Sequence, residues 1–372
     1  MNESKPDGEK TILLLGGYGS AGLAIAQLLL EETKLRLIVA GRDGDRARQT
    51  ESSLNVEHTG NRVSGIRVDA AGDPSALESA FRRCDLVMVC APLTGIGSRV
   101  LEAALAAGVD TVSLNLDGTG SAVAKSLAAR VEQAGLRFIT DAGLVPGCPA
   151  VLARWAASRF ERVDEVIAAM LVREKDFSYG SAIDAMEAIG TPAIVYDQGS
   201  WNRAPLTATK KIDFGPPFGK CTCYPFALPE MRPLPERLGV ERCAAYAAGV
   251  NRVADALVAL WYVFGLGKYP WLSRLGARAL VRTNRFTRPP LGVVLAVEVA
   301  GESAGRPQHL RVSVQHDDGY VATAIPALSC LLQVLDGTVK KPGIHMMGHA
   351  VDVARFIDDM GRLGMKPTET AV

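Results

Sequence analysis

Residues 11–22 read Thr-Ile-Leu-Leu-Leu-Gly-Gly-Tyr-Gly-Ser-Ala-Gly, and a helix-forming run follows at residues 23–30. The chain has 37 glycines, so a Gly-x-Gly-x-x-Gly pattern alone would mean little. Between a buried strand and a helix, however, the pattern is typical of a dinucleotide-binding turn. We therefore predict a dinucleotide site here, with an ordinary glycine-rich loop of another α/β fold as the alternative.

The glycines of this turn have separate predicted roles. Gly17 allows the tight turn, Gly19 lets the backbone approach a pyrophosphate, and Gly22 lets the helix pack against the strand. The amide groups at the helix N-terminus then face the phosphates. The residues predicted to bind the cofactor at this turn are Gly16, Gly17, Tyr18, Gly19, Ser20, Ala21 and Gly22.

The end of the second apolar run, residues 35–40, carries the residues expected to select the cofactor. A site selective for NAD places Asp or Glu there to bind the ribose 2′-hydroxyl. This run ends instead in Gly41 and Arg42. Gly41 is predicted to leave room for a 2′-phosphate, and Arg42 to pair with it and stack on the adenine. Asp43 comes too late and is expected to open the next helix. The cofactor predicted is NADP, with a solvated Arg42 as the alternative.

Strands and helices alternate along the first 140 residues, with further strands predicted at 63–68, 85–92, 109–116 and 136–140. This alternation predicts an α/β fold with a Rossmann doubly wound parallel sheet. Ligands of such sheets bind at the carboxyl ends of the strands. The same crevice should therefore receive Asp69, Cys90, Ala91 and Pro92.

Composition sets the remaining limits. A chain of 372 residues is expected to hold two domains, and a formal charge of +1 argues against a general nucleic-acid binder. Residues 1–10 are polar and predict a disordered tail rather than a signal peptide. Seven cysteines without repeated spacing predict a reduced, cytoplasmic chain. The uncharged run at residues 256–267 has twelve residues, which is too short for a transmembrane segment.

No metal site is predicted. Cys221 and Cys223 have neither zinc-knuckle nor redox-motif spacing. His345 and His349 lack the intervening glutamate of a zinc-protease helix, and Pro342 and Gly343 predict that His345 lies in a loop.

After residue 147 the regular alternation ends. Strands are predicted at 163–172, 291–299 and 309–315, the last two forming a hairpin, which indicates an α+β domain on a mainly antiparallel sheet. Apolar helices follow at 322–335 and 351–363 and are expected to pack on the first domain. The predicted organisation is a Rossmann domain from 11–147 and about 322–372, and a substrate and dimerisation domain from 148–321.

Several segments resemble the saccharopine dehydrogenase (saccharopine reductase-like) family of NADP-binding oxidoreductases. They are the glycine turn, residues 40–42, 85–92, the loop Asp-Ala-Gly-Leu-Val-Pro-Gly at 141–147, and residues 177–181, 320–324 and 341–345. The resemblance implies a Rossmann domain completed by C-terminal helices, a central domain with substrate contacts, and often a dimer. It also implies hydride transfer to or from an unsaturated C–N or C–C centre.

Two departures limit what the resemblance implies. The fifth strand ends Ser-Leu-Asn-Leu-Asp at residues 113–117, where relatives more often show a Tyr-x-Asp ending. The centre of the chain also matches none of the amino-adipate contacts of lysine-pathway enzymes. A reductase of another substrate is therefore expected.

Four side chains near the predicted crevice could handle the proton that accompanies hydride transfer: Asp117, Asp141, Lys175 and Tyr179. Asp141 could instead cap the following helix, and Lys175 could belong to a solvated turn. Cys90 is expected to end an apolar strand rather than act as a reactive thiol.

One stretch has no explanation in dinucleotide binding. Residues 256–297 contain no acid but include Lys268, Arg274, Arg278, Arg282, Arg285 and Arg288. Arg274, Arg278 and Arg282 share one helical face. A solvated face of a buried or dimer-interface helix would explain them. So would recognition of a substrate carboxylate, a phosphopantetheine arm or an acidic carrier protein, or a peripheral contact with membrane lipids.

The function predicted is an NADP-dependent oxidoreductase acting on an imine, enone or related centre of a small-molecule or carrier-bound, anionic substrate. A cytoplasmic homodimer without nucleic-acid partners is expected. The alternatives are a non-catalytic NADP-binding sensor or scaffold, and a peripheral membrane reductase of lipids.

Overall fold

The computed structural model describes residues 10–92, 96–114, 122–175, 178–205, 207–264, 266 and 269–372. Three parts of our predictions lie outside these residues: Asp117, Lys268 and residues 1–9 of the predicted tail. The chain forms two compact units. The first consists of Met1–Cys148 and Thr323–Asp352, and the second of Pro149–Ala322 and Val353–Val372.

The strands of the described residues are, in chain order, β1 (Thr11–Leu15), β2 (Arg36–Gly41), β3 (Val63–Arg67), β4 (Leu86–Val89), β5 (Asp110–Ser113), β6 (Arg137–Thr140), β7 (Arg162–Arg173), β8 (Ile194–Asp197), β9 (Ser200–Arg203), β10 (Lys210–Asp213), β11 (Lys220–Pro225), β12 (Arg242–Ala248), β13 (Gly292–Ser303), β14 (Arg306–His316), β15 (Gly343–Met346) and β16 (Thr368–Ala371).

The α-helices are α1 (Ser20–Glu32), α2 (Gly44–Glu57), α3 (Pro74–Phe81), α4 (Gly97–Ala107), α5 (Ala122–Gln133), α6 (Cys148–Ala157), α7 (Tyr179–Gly190), α8 (Leu234–Leu238), α9 (Arg252–Val263), α10 (Pro270–Asn284), α11 (Gly319–Leu335), α12 (Met347–Ala350) and α13 (Val353–Arg362).

The first unit is built on a seven-stranded parallel sheet in the order β3-β2-β1-β4-β5-β6-β15. The predicted Rossmann doubly wound sheet is confirmed, because six of its strands have the 3-2-1-4-5-6 order of that fold. The apolar run of β1 is buried, with Leu13 and Leu14 fully inaccessible. The order reverses between β1 and β4, and ligands bind outside the carboxyl ends of strands at such a point.

The prediction of a loop at His345 is wrong. His345 lies in β15, which pairs in parallel with β6. Gly343 has a φ of +120°, and its amide donates to the Leu136 carbonyl at 2.8 Å. The glycine thus turns the chain into the sheet, and the free edge of β6 extends the segment as a strand.

The second unit is built on a mixed sheet in the order β10-β11-β12-β7-β13-β14-β16, with β8 and β9 joined to β12. Strand β12 is parallel to β7, and the other pairings are antiparallel. The long hairpin β13–β14 and the mainly antiparallel α+β architecture confirm the predicted fold class. Helices α7, α9 and α10 form a separate apolar cluster in this unit around Met186, Trp261 and Leu280.

The C-terminal segment is not where we predicted it. Residues 353–372 were expected in the Rossmann domain but belong to the second unit. The reason is strand pairing: β16 pairs antiparallel with β14, and Arg159 forms an ion pair with Glu369 at 2.9 Å. The first unit is therefore discontinuous in sequence: residues 149–322 of the second unit separate its two segments, and residues 353–372 follow in the second unit.

Across the described parts of the chain, no helix is both long enough and apolar enough to cross a membrane.

Candidate functional site

The glycine turn joins three strands of the parallel sheet. Gly16 has a φ of +84°, and its amide donates to the Ala40 carbonyl of β2 at 2.7 Å. A Cβ on Gly16 would lie 2.7 Å from the Ala91 amide nitrogen, just beyond β4. The turn thus lies against β2 and β4 at the reversal point, and only glycine fits the first position.

Close backbone packing also fixes the start of α1. A Cβ on Gly22 would lie 2.5 Å from the Gly16 oxygen and 2.7 Å from the Gly17 Cα. The helix begins at Ser20, and Gly19 before it has no side chain with which to cap the first turn. The amides of the first turn, which includes Ala21, therefore face outward from the turn as a site for an anion. We call residues 16–22, the glycine turn with the first turn of α1, the cradle. Its amides fit the pyrophosphate of a dinucleotide.

The space beside Gly41 is not open. A Cβ on Gly41 would lie 2.6 Å from the Tyr18 hydroxyl oxygen, so the tyrosine ring packs on the glycine. The Arg46 guanidinium carbon lies 4.6 Å from the ring centroid on Tyr18. The Asp43 amide donates to the Tyr18 hydroxyl at 3.1 Å. Our expectation that Gly41 leaves room for a 2′-phosphate is therefore corrected: Gly41 accommodates Tyr18.

Basic side chains surround the end of β2. Arg42 is exposed, and its carbonyl accepts a hydrogen bond from Arg67 Nε at 3.3 Å. Arg46 lies in the first turn of α2 and also donates to the Tyr18 carbonyl at 3.1 Å. We call Arg42, Arg46 and Arg67 the arginine cluster. An anionic group at the end of β2 would meet three cations.

Asp43 opens α2, as the sequence predicted. Its side chain accepts from the amides of Asp45 and Arg46, both at 3.1 Å. The carboxylate that comes nearest to the NAD-selecting position is therefore engaged as a helix cap.

The remaining predicted cofactor residues follow β3 and β4. Asp69 is exposed and accepts from the Ala71 amide at 3.0 Å, which makes it part of a turn. The amides of Cys90 and Ala91 both donate to the Leu15 carbonyl, at 2.8 and 3.0 Å, and exposed Pro92 follows. Burial raises the pKa of the Cys90 thiol to about 12, so the thiol is neutral near pH 7.

Asp141 follows β6 directly and has an unusual backbone conformation. It is 2% exposed and has a φ of +58°. The Thr140 hydroxyl donates to Asp141 Oδ2 at 3.0 Å. The loop after it is tight, because a Cβ on Gly147 would lie 2.5 Å from Met347 Cε and 2.8 Å from the Gly143 oxygen. Helix α6 begins only at Cys148, seven positions beyond Asp141.

The other predicted proton donors belong to the second unit or lie outside the described residues. Lys175 is exposed after β7. Tyr179 begins α7, is 41% exposed, and donates to the Arg274 carbonyl at 3.4 Å. Asp117 lies outside the described residues. The predicted cofactor residues thus lie at the carboxyl ends of strands in the first unit's parallel sheet, whereas Lys175 and Tyr179 are in the second unit.

The sequence analysis missed Arg46 and Arg67. Arg67 is the last residue of β3 and pairs in register with Gly41. Arg46 is placed at the strand end by the Asp43 cap. The cap signal was visible in the sequence and could have identified Arg46, while Arg67 required the strand register.

Comparison with known proteins places residues 12–138 in a family model described as the saccharopine dehydrogenase NADP binding domain. A segment of 95 residues, 25% of this chain, is 31% identical to a highly reducing polyketide synthase from Didymella fabae. The match covers only 5% of the length of that protein.

Two solved structures show the fold. The chain is similar to apo saccharopine dehydrogenase (L-Glu forming) from Saccharomyces cerevisiae, with a TM-score of 0.73, 15% identity, and coverage of 98% of this chain and 100% of that one. It is also similar to a meso-dapdh mutant with DAP from Clostridium tetani, with a TM-score of 0.50, 11% identity, and coverage of 94% and 96%.

Proposed function

Residues 12–138 match the family model of the saccharopine dehydrogenase NADP binding domain, and the fold is that of saccharopine dehydrogenase; we therefore propose that the chain is an oxidoreductase of this family, which transfers a hydride between NADP(H) and an unsaturated C–N or C–C centre of its substrate. The observation that carries the proposal is the cradle of the glycine turn at the reversal point of the sheet. There the outward-facing amides of α1 fit a pyrophosphate.

We propose NADP rather than NAD as the cofactor. Arg42, Arg46 and Arg67 provide three cations at the end of β2, and the Asp43 carboxylate is engaged by two amides of α2. A 2′-phosphate would gain charge-assisted hydrogen bonds from this cluster, whereas a 2′-hydroxyl would find no available carboxylate in Asp43.

The cofactor supplies the hydride, and the protein supplies binding, orientation and control of one proton. The glycine turn would hold the pyrophosphate, and Ala91 and Pro92, which follow β4 at the same end of the sheet, would lie toward the nicotinamide. Burial raises the pKa of the Cys90 thiol, so this side chain brings no charge to that end. Asp117, Asp141, Lys175 and Tyr179 remain our candidates for moving the proton.

Among substrate classes, an enone or imine of a small-molecule or carrier-bound acyl chain has the most support. The likeness of one segment to a highly reducing polyketide synthase supports a reduction rather than an oxidation of the substrate. We further propose a cytoplasmic location, since all seven cysteines are free thiols, as a reducing compartment would keep them. The homodimer is proposed from the family resemblance alone.

The test is in two stages. NADPH binding is measured by fluorescence, and NADPH oxidation is then followed against imines, enones and keto acids. We expect binding tighter for NADPH than for NADH, and turnover on at least one class. Tighter binding of NADH would refute the role of the arginine cluster, and binding without turnover on every class would favour the sensor or scaffold.

A further inference from the structure

Helices α9 and α10 form an antiparallel hairpin in the second unit. At one end, Asn251 Nδ2 donates to the Thr283 carbonyl and the Thr287 hydroxyl, both at 3.2 Å. Toward the other end, Trp261 lies on Gly276, where a Cβ would come 2.9 Å from the indole ring. The hairpin is therefore packed along its length, and its second end is the connection between the two helices.

That second end exposes large apolar side chains. Five residues are more than half exposed, and we call them the hairpin tip: Leu260 at 56%, Phe264 at 68%, Tyr269 at 54%, Trp271 at 67% and Leu275 at 54%. The opposite end of the hairpin exposes two such residues, Val253 and Phe286. Single exposed apolar residues are ordinary, but the five at the tip form the larger group, and such groups mark interaction sites.

Charge changes along α10 away from the tip. Arg274 lies beside Leu275, and Arg278 and Arg282 follow on the exposed face. At 1.5 Å per residue, Arg278 and Arg282 are about 10 and about 16 Å along the axis from Trp271. Residues 256–297 contain no Asp or Glu, so nothing acidic within this segment neutralises these arginines.

We propose that the hairpin tip binds the surface of an anionic lipid bilayer. Amphipathic elements of this kind insert their apolar side about 5–10 Å into the headgroup and acyl boundary. Inserted tip first, the hairpin would bury Phe264 and Trp271 and bring Arg274 and Arg278 to the level of the lipid headgroups. Tyr269 and Trp271 are the residue types that favour this interface. The contact is peripheral, and it goes beyond the hydride transfer proposed above.

The test uses the full chain in flotation with vesicles. One set contains phosphatidylcholine alone, and the other contains equimolar phosphatidylcholine and phosphatidylglycerol. We expect the protein to float with the anionic vesicles at low salt and to bind the neutral ones much more weakly. Comparison with a Trp271→Phe variant should assign a blue shift of the fluorescence to Trp271 on binding.

Two double variants separate the apolar and basic parts. Phe264→Ser with Trp271→Ser should lower partitioning to both kinds of vesicle by at least about tenfold. Arg278→Gln with Arg282→Gln should weaken binding to the anionic vesicles by about fivefold for each arginine and leave the neutral ones unchanged. The matched controls are Val56→Ser, at an exposed apolar residue of the first unit, and Arg203→Gln with Arg306→Gln, at exposed arginines of the second.

The proposal is overturned if the wild-type chain fails to float with anionic vesicles, or if the Phe264/Trp271 variant floats as the wild type does. A second result would also overturn it: the wild-type chain is a dimer that does not bind lipid, and the Phe264/Trp271 variant is a monomer. The tip would then contact a second copy of the chain. Every variant is first checked for an unchanged NADPH Kd. Loss of lipid binding with intact NADPH binding is thus independent of the proposed activity.

Discussion

The glycine turn and the arginine cluster lie at the same edge of the parallel sheet, yet they are built in opposite ways. In the turn, backbone meets backbone, and a Cβ on Gly16 or Gly22 would come within 2.7 Å of neighbouring atoms. In the cluster, all three arginines are exposed, and Arg67 and Arg46 donate to the backbone carbonyls of Arg42 and Tyr18 at 3.3 and 3.1 Å. The turn therefore governs whether a dinucleotide binds at all, and the cluster can change which dinucleotide is preferred while the fold persists.

The largest effect is expected from Gly22→Ala. The added methyl would lie 2.5 Å from the Gly16 oxygen, so α1 must move away from the turn. We expect about 1–3 kcal/mol of lost stability and up to about 100-fold weaker NADPH binding, measured by urea unfolding and fluorescence titration.

The matched control is Gly361→Ala, which makes the same substitution in helix α13, where the nearest atom to the new Cβ is 3.8 Å away. Its stability should be unchanged or about 1 kcal/mol higher. If Gly22→Ala binds NADPH within a few-fold of the wild type, the close packing of the turn is not what forms the cradle.

A selective effect is expected from Arg42→Ala combined with Arg46→Ala. Loss of charge-assisted hydrogen bonds to a 2′-phosphate should weaken NADPH binding about 10- to 100-fold and change NADH binding by no more than about twofold. Titration with both cofactors measures the ratio. Arg36→Ala, at the other end of β2, is the control and should affect neither. An equal loss for both cofactors would show that the cluster acts on the fold instead of the phosphate.

The smallest effect concerns Tyr18, which joins the two regions. Gly41→Ala should displace the ring and disturb its contact with Arg46, at a cost of about 1–2 kcal/mol in unfolding free energy. In a Tyr18→Ala background the same substitution should cost almost nothing. Urea unfolding of the four proteins gives the coupling, expected at about 1–2 kcal/mol. Additive effects would mean that Tyr18 and Gly41 do not depend on each other.

Most of the first unit could be predicted from sequence because its signals are local. The apolar run of β1, the glycines after it and the Asp43 cap each lie within a few residues. Arg67 could not be recognised in this way, because its position beside Gly41 depends on the register of β2 and β3. We also expected a 2′-phosphate in the space beside Gly41, which the Tyr18 ring occupies. No sequence pattern shows where that ring packs.

The errors near the C-terminus have a similar cause. The apolar stripe of α13 indicates that the helix is packed, and Phe356, Ile357 and Met360 are indeed buried. A stripe does not identify its partner, and the β16–β14 pairing draws the segment into the second unit. His345 was assigned to a loop because Pro342 and Gly343 precede it, whereas the edge of β6 makes it a strand.

The interruption of the first unit has a consequence for the order of synthesis. A ribosome completes β6 long before it reaches β15, and all of Pro149–Ala322 is made in between. Until β15 is made, one edge of β6 in the nascent chain has no neighbouring strand. Arg137 also lacks the hydrogen bonds that it later donates to the Val334 and Val339 carbonyls, at 3.2 and 3.1 Å. A truncation after residue 148 would keep the cradle but leave that edge open. A minimal cofactor-binding fragment should instead join Cys148 to Thr323 through a short linker and end at Asp352.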